Sequence, residues 1–192
     1  MSNRIRILGL SGSLRRGSLN TALLRAAGEM LPAGAVLEIH PLNGLPFFDE
    51  DVEAQGIPAA VAALKAKIVA ADALLLAVPE YNGSFAPALK NALDWASRPH
   101  GESVLEGKPV ALFGASPGLG TVRAQMHLRE VAIGTGMHVL NRPEVFVGQA
   151  GGKFDETLRL ADQPTRAIIG RMLDGLVAWT RRMQGPAVER VA

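Results

Sequence analysis

The chain has 192 residues, 48% of them hydrophobic and 20% charged, with a formal net charge of +2 and no cysteine. That length suits one domain spanning residues 1–192, able to bury roughly 70% of its unfolded surface. The missing thiol excludes disulfides, thiolate metal ligands and a cysteine nucleophile, and no Lys/Arg run exceeds two residues, so no nucleic-acid partner is expected. The apolar stretch near the N-terminus is too short for a signal peptide, and residues 73–78 fall far short of a membrane span. A cytoplasmic protein with no membrane partner is expected.

Residues 4–10 read as a buried strand and residues 20–31 as a helix. A second strand, 36–40, alternates more clearly. The loop 41–58 carries Leu45-Pro46-Phe47-Phe48-Asp49-Glu50-Asp51, an acidic cluster read as solvated rather than metal-binding. A helix over 59–71 opens at Pro58, and a third strand covers 73–78. Residues 86–97 form a helix that tolerates Pro87 in its first turn. A fourth strand spans 109–115, and a helix over 121–135 ends at Gly136. The fifth strand lies within 138–147 and is interrupted near Pro143. In a last helix, 162–182, Ile168, Ile169, Met172, Leu173, Leu176 and Val177 keep the spacing of a core-facing stripe. The tail 185–192 reads as frayed. Strands alternating with helices predict an α/β fold with a five-stranded parallel sheet covered on both faces.

Ligands of such sheets bind at the carboxyl ends of the strands. Three loops there are unusual. After the first strand comes Gly9-Leu10-Ser11-Gly12-Ser13-Leu14-Arg15-Arg16-Gly17-Ser18-Leu19-Asn20-Thr21. Glycines, hydroxyls, two arginines and a helix start together suit an anion. Gly12 and Gly17 have the spacing of a nucleoside-triphosphate loop, but Ser18 stands where its lysine must be. The dinucleotide pattern fails too, because Ser11 holds the place of its second glycine. A hydroxyl-rich loop without lysine suits a phosphomonoester that is held and not transferred, as in FMN.

After the third strand comes Pro79-Glu80-Tyr81-Asn82-Gly83-Ser84-Phe85, with the only tyrosine of the chain. It reads either as a plain Asn-Gly turn or as a turn whose backbone approaches a flat heterocycle. After the fourth comes Ser116-Pro117-Gly118-Leu119-Gly120-Thr121, in which Arg123 replaces the third glycine of a dinucleotide fingerprint. His40, His100, His127 and His138 lack metal spacing, so no metal site is expected. A serine-hydrolase elbow is missed by one residue at Ser11. A receiver domain would need carboxylates where Gly9 to Ser11 and Pro79 stand. Arg98, past the third helix, is either a helix C-terminal charge or a residue that orients an anionic group.

Gly12-Ser13-Leu14-Arg15 with Ser18 and Asn20, then Pro79-Glu80-Tyr81-Asn82-Gly83-Ser84 and Leu89-Lys90-Asn91-Ala92-Leu93-Asp94-Trp95, resemble the NADPH-dependent FMN reductase family, which includes quinone, azo-dye and chromate reductases. The resemblance runs from Arg4 to about Arg182. It implies a flavodoxin-like sheet of strand order 2-1-3-4-5 and a bound FMN. Ser11, Ser13, Arg15, Ser18, Asn20 and Thr21 would surround the FMN phosphate. Pro79, Glu80, Tyr81, Asn82 and Gly83 would line the flavin ring, and Ser116 and Gly118 would close the third side. NADH or NADPH would be the co-substrate, in ping-pong turnover with a small-molecule electron acceptor such as a quinone. No obligatory acid or base is expected. The resemblance further implies self-association as a dimer or tetramer, with Arg123 and Glu144 as interface charges. The chain departs from the pattern at Met126, where family members often carry tyrosine. Two other readings of the same loops are a flavodoxin-type electron carrier and a non-redox FMN-binding module. Carriers are usually strongly acidic, unlike this chain.

Overall fold

A computed structural model describes residues 4–185. Most of the expected frayed tail, 186–192, lies outside the described residues. Strand β1 (Ile5–Ser11) sits between β2 (Ala35–His40) and β3 (Ala73–Ala77), and β3 pairs with β6 (Pro109–Ala115), all parallel. The fifth position is shared by β7 (His138–Val139) and β8 (Val145–Val147), which pair with the two ends of β6. The resulting order, β2-β1-β3-β6-β7, is the expected flavodoxin-like one. The expected break in the last strand falls around Pro143, between β7 and β8.

Side chains alternate across a strand, so a fully buried strand feeds two cores. Ile5, Ile7, Leu75, Ala77 and Phe113 face one side with Leu23 and Leu24 of helix α1 (Leu19–Glu29) and Ile169, Leu173 and Leu176 of α6 (Gln163–Met183). On the other side Leu8, Leu10, Leu74, Leu76 and Leu112 meet α3 (Ala59–Ala70), α4 (Pro87–Ala96) and α5 (Val122–Gly134). The stripe on α6 is core, as its spacing implied.

Two short elements escaped the sequence pattern. The loop after β2 contains α2 (Glu50–Ala54), capped where Asp49 accepts from the Asp51 N–H at 2.8 Å. Its first-turn carboxylates Glu50, Asp51 and Glu53 complement the helix dipole. The acidic cluster expected in plain loop is therefore a helix start. The segment after β3 is a hairpin of β4 (Glu80–Tyr81) and β5 (Ser84–Phe85). Asn82 and Gly83 have φ of 51° and 79°, the positive pair that a two-residue hairpin turn requires.

Gly114 in β6 shows how tightly the carboxyl edge is built. A Cβ there would collide with the Thr121 hydroxyl and the Val78 carbonyl. Both obstacles are fixed in place, so Gly114→Ala is expected to destabilise the chain by about 3 kcal/mol, read from the urea midpoint of denaturation.

Candidate functional site

Because β1, β3 and β6 are neighbours and parallel, the loops that leave their carboxyl ends lie side by side. The first two touch. The Gly12 N–H donates to the Ala77 carbonyl at 3.0 Å, and a Cβ on Gly12 would lie 2.7 Å from Cδ of Pro79. Glycine is needed here for contact between loops.

The first loop is arranged to donate. Ser11 Oγ accepts from the Thr21 hydroxyl at 2.9 Å and from the Ser13 N–H at 3.3 Å, which leaves its own hydrogen free. Ser18 caps α1 by accepting from the Thr21 N–H at 3.2 Å, so its hydrogen is free as well. Among the described residues, the N–H groups of Leu14, Arg15, Arg16 and Gly17 have no protein acceptor, and Arg15, Arg16 and Arg25 have no carboxylate partner. Ser11, Ser13, Arg15, Arg16, Thr21 and Arg25 line one depression of about 350 Å3. Its chemistry is that of an anion site at a helix N-terminus.

Asn20 differs from its expected role. Its side-chain amide is buried and donates to the Ala115 carbonyl at 3.0 Å while accepting from the Ala115 N–H at 2.9 Å. It ties α1 to β6 from behind the loop rather than presenting an amide to a ligand.

The second loop is held by α5. Glu80 accepts from Arg123 Nε at 3.0 Å and from the Ala124 N–H at 3.3 Å. It thereby supplies the N-terminal cap that Thr121, with φ of 65° and no side-chain capping bond, does not make. The Ser84 hydroxyl lies 3.1 Å from Nδ1 of His127. What the hairpin can offer a ligand is its backbone and the exposed ring of Tyr81. In the third loop, Ser116 Oγ accepts from the Gly120 N–H at 3.0 Å, again leaving its hydrogen to donate. Around Gly118 no other atom lies within 4 Å of a Cβ position, and its φ is not positive. The protein itself does not require glycine there.

The hairpin separates two further hollows. Asn82, Gly83, Ser116 and Gly118 border one of about 540 Å3. Tyr81 borders the other, about 460 Å3, together with Gly12, Ser13 and Arg15. Pro79 packs against Gly12. The structure thus gathers Ser11, Ser13, Arg15 and Thr21 in one hollow and Asn82, Gly83, Ser116 and Gly118 in another.

Arg98 does not join them. It lies just past the C-terminus of α4, whereas the loops gather at the N-terminus of that helix, about 15 Å away at 1.5 Å per residue. Its guanidinium bonds Glu53 at 2.8 Å and sits 5.5 Å from the centre of the Phe48 ring. The hydrogen bond to Glu53 raises its pKa further. Arg98 is thus paired within the chain near the end of α4, away from the three loops. Arg123 and Glu144, expected as interface charges, are engaged within the chain, with Glu80 and with Arg142 and Arg129 respectively. No cluster of potential metal ligands occurs among the described residues.

Sequence reasoning missed Arg25, one helical turn beyond Thr21, and the wall formed by Leu42, Leu45 and Phe47 after β2. Arg25 could have been found from its i, i+4 spacing to Thr21. The loop residues had only an apolar run to mark them. Asn91, quoted for its motif but given no role, also lines that hollow.

With this geometry in hand, the comparisons with known proteins are specific. A family model described as NADPH-dependent FMN reductase matches residues 5–152. The chain is 48% identical over 186 residues to an NAD(P)H-dependent FMN reductase of Pseudomonas aeruginosa, covering 96% of this chain and 100% of that one. It is 42% identical over 188 residues to an NADPH:quinone oxidoreductase of Arabidopsis thaliana, covering 94% of each. Among solved structures it resembles FerB, a flavoenzyme NAD(P)H:(acceptor) oxidoreductase from Paracoccus denitrificans, with a TM-score of 0.83, 32% identity and coverage of 93% of this chain and 98% of that one.

Asn20→Ala leaves the buried N–H and carbonyl of Ala115 without partners. The expected loss is about 2–4 kcal/mol of stability, measured by urea denaturation of the protein without ligand. A loss confined to ligand affinity would return Asn20 to the anion site.

Proposed function

The chain belongs to the NADPH-dependent FMN reductase family, and we propose that residues 1–192 form a single FMN-binding domain that oxidises NADH or NADPH and reduces a quinone or similar small acceptor in alternating half-reactions. It is an oxidoreductase, and FMN, when bound, supplies the hydride chemistry that its side chains cannot.

The observation that carries this reading is the donor set of loop 12–18. Ser11, Ser13 and the unpaired Arg15, Arg16 and Arg25 line one depression there, beside unpartnered backbone N–H groups and the capping Ser18, and among the described residues no metal-binding cluster accompanies them. Such a set suits a phosphate that is bound and left intact. Ser11, Ser13, Arg15 and Ser18 would hold it, with Thr21 orienting Ser11 and Ser18 through its hydroxyl and N–H and Arg16 and Arg25 adding field. Asn20 would keep their helix in register. Pro79, Glu80, Tyr81, Asn82 and Gly83 would border the flavin ring through backbone and apolar surface, and Ser116 and Gly118 would border it from the third loop. The open space at Gly118 supports this assignment, since nothing in the protein fills it.

The chemistry asks little of protein acids and bases. NAD(P)H gives up a hydride, and a quinone gains two electrons and two protons, one of them from water, to leave as the hydroquinone. The chain's contribution is proximity and fixed donors near developing charge. Azo compounds and chromate are further acceptors consistent with this reading. Exposed apolar side chains at Leu119, Met126 and Ile133 support self-association as a dimer or tetramer. Among the described residues no helix is long and apolar enough to cross a membrane, and a cytoplasmic location, where NAD(P)H is regenerated, fits the proposal.

The test is anaerobic addition of NADPH and NADH to the FMN-loaded protein. The yellow absorbance should bleach and return when a quinone is added. A flavin that stays oxidised would make the protein a carrier, and failure to take up FMN would leave neither role. Arg15→Ala removes a charge-assisted contact of about 1.5–3 kcal/mol, so the FMN dissociation constant should rise about 10- to 100-fold by fluorescence titration. Gly118→Val should weaken FMN binding by a similar factor while leaving the urea midpoint of the ligand-free protein unchanged.

A further inference from the structure

The hairpin of β4 and β5 borders the flavin ring in the function given above, yet it is no part of the main sheet. It forms a two-stranded sheet of its own, and the helix it packs against is α5. Its turn carries donors. Among the described residues, the N–H groups of Asn82 and Gly83 have no protein acceptor, and both residues border the 540 Å3 hollow with Ser116 and Gly118. Reduction adds negative charge to a flavin ring, so fixed N–H donors beside it favour the reduced form over the oxidised one. How strongly they do so depends on how firmly the turn is held.

Two side chains of α5 reach the hairpin. Arg123 and His127 stand at i and i+4 and so share a face of the helix. Each meets a different strand. Arg123 bonds Glu80 of β4, but that strand does not depend on it, because Glu80 also accepts from the Ala124 N–H, a backbone group that no side-chain change removes. The arginine is itself 74% exposed, in an ion pair that solvent screens. β5 has no such second fastening. The Ser84 hydroxyl and Nδ1 of His127 share one hydrogen at 3.1 Å, and among the described residues neither side chain has another hydrogen-bond partner. Ser84 directly follows Gly83. His127 borders none of the three hollows at the loops, so its influence on a ligand passes through Ser84.

We propose that His127 is the positioning residue for the turn beside the flavin. By holding Ser84 it keeps the Asn82 and Gly83 N–H groups in place and so raises the reduction potential of the bound FMN. The proposal rests on the flavin-dependent function given above and deepens it.

Anaerobic potentiometry of the FMN-loaded protein, with dithionite and mediator dyes, reads the potential without NAD(P)H or a quinone. His127→Ala should cut the preference for reduced over oxidised FMN about five-fold, which lowers the two-electron potential by about 20 mV. Its dissociation constant for oxidised FMN should change less than two-fold, and the urea midpoint of the ligand-free protein should stay where it is. Ser84→Ala should give the same shift, and the double variant no more, because the two residues act through one bond. His127→Asn should restore the potential, since its amide offers both a donor and an acceptor close to where Nδ1 stands. In the ligand-free protein, deuterium exchange over residues 80–85 should quicken in His127→Ala and Ser84→Ala and return to normal in His127→Asn. An unchanged potential in His127→Ala would overturn the proposal, and a lower urea midpoint beside it would make the residue a scaffold group only. A shift that Ser84→Ala does not reproduce, or that asparagine does not rescue, would overturn it as well, because His127 would then act by its own charge. A flavin that dithionite reduces and NAD(P)H does not would refute the function, while the potentials still decide this proposal.

Discussion

One buried amide sets the frame in which the site is built. Asn20 stands at the start of α1 and closes both hydrogen-bonding groups of Ala115, the last residue of β6. Parallel pairing fixes β1, β3 and β6 relative to one another, but it does not fix the helix that follows β1. The Asn20 bonds do, across the width of β3. The N-terminus of α1, with its orphan N–H groups, is thereby anchored to the strand whose loop carries Ser116 and Gly118. An anion at one end of a long ligand and a ring at the other need that distance held constant, and a buried pair of hydrogen bonds holds it better than a surface contact could.

Within that frame the loops divide their atoms in a consistent way. Lone pairs face the protein and hydrogens are left over. Ser11, Ser18 and Ser116 each accept internally, so each can donate to a guest without reorganising. The hairpin follows the opposite rule, because the Glu80 carboxylate accepts from the start of α5 and from Arg123. A carboxylate facing the guest would oppose negative charge on a reduced flavin. Engaged with the helix N-terminus, it stabilises the scaffold and leaves the hairpin to act through backbone and Tyr81.

Much of this was readable in the sequence because it is local. Gly12 to Thr21 carries its anion chemistry in adjacent residues, and hydrophobic periodicity located every long element within a few residues. What escaped depends on contacts distant in sequence. Asn20 looks like a loop donor until β6, about 95 residues away, is placed beside it. Arg98 looks free until Glu53 is seen across 45 residues. The wall at Phe47 belongs to a segment with no regular period, and its fastening comes from Asn91 and Trp95 on a helix 40 residues further on. The short helix at Glu50 was hidden for a different reason. Five residues are too few to show a helical period, and only the Asp49 cap marks it.

The ion pairs and the lining of the depression together bear on the same site without reference to any motif. An arginine turned to solvent next to a carboxylate of its own chain pairs with it, and that pairing competes with an external anion. Arg98 is held by Glu53, Arg123 by Glu80, Arg142 by Glu144 and Arg166 by Glu29. Arg15, Arg16 and Arg25, like Arg159, Arg171, Arg181 and Arg182, have no such partner among the described residues, and the first three line a single depression with three hydroxyl side chains. Like charges gathered at a helix N-terminus repel one another and the dipole. That cost is relieved when an anion arrives. Affinity for an anion and mutual repulsion among these arginines are therefore the same electrostatic fact, and a carboxylate added near Arg15 would weaken the first as it relieved the second.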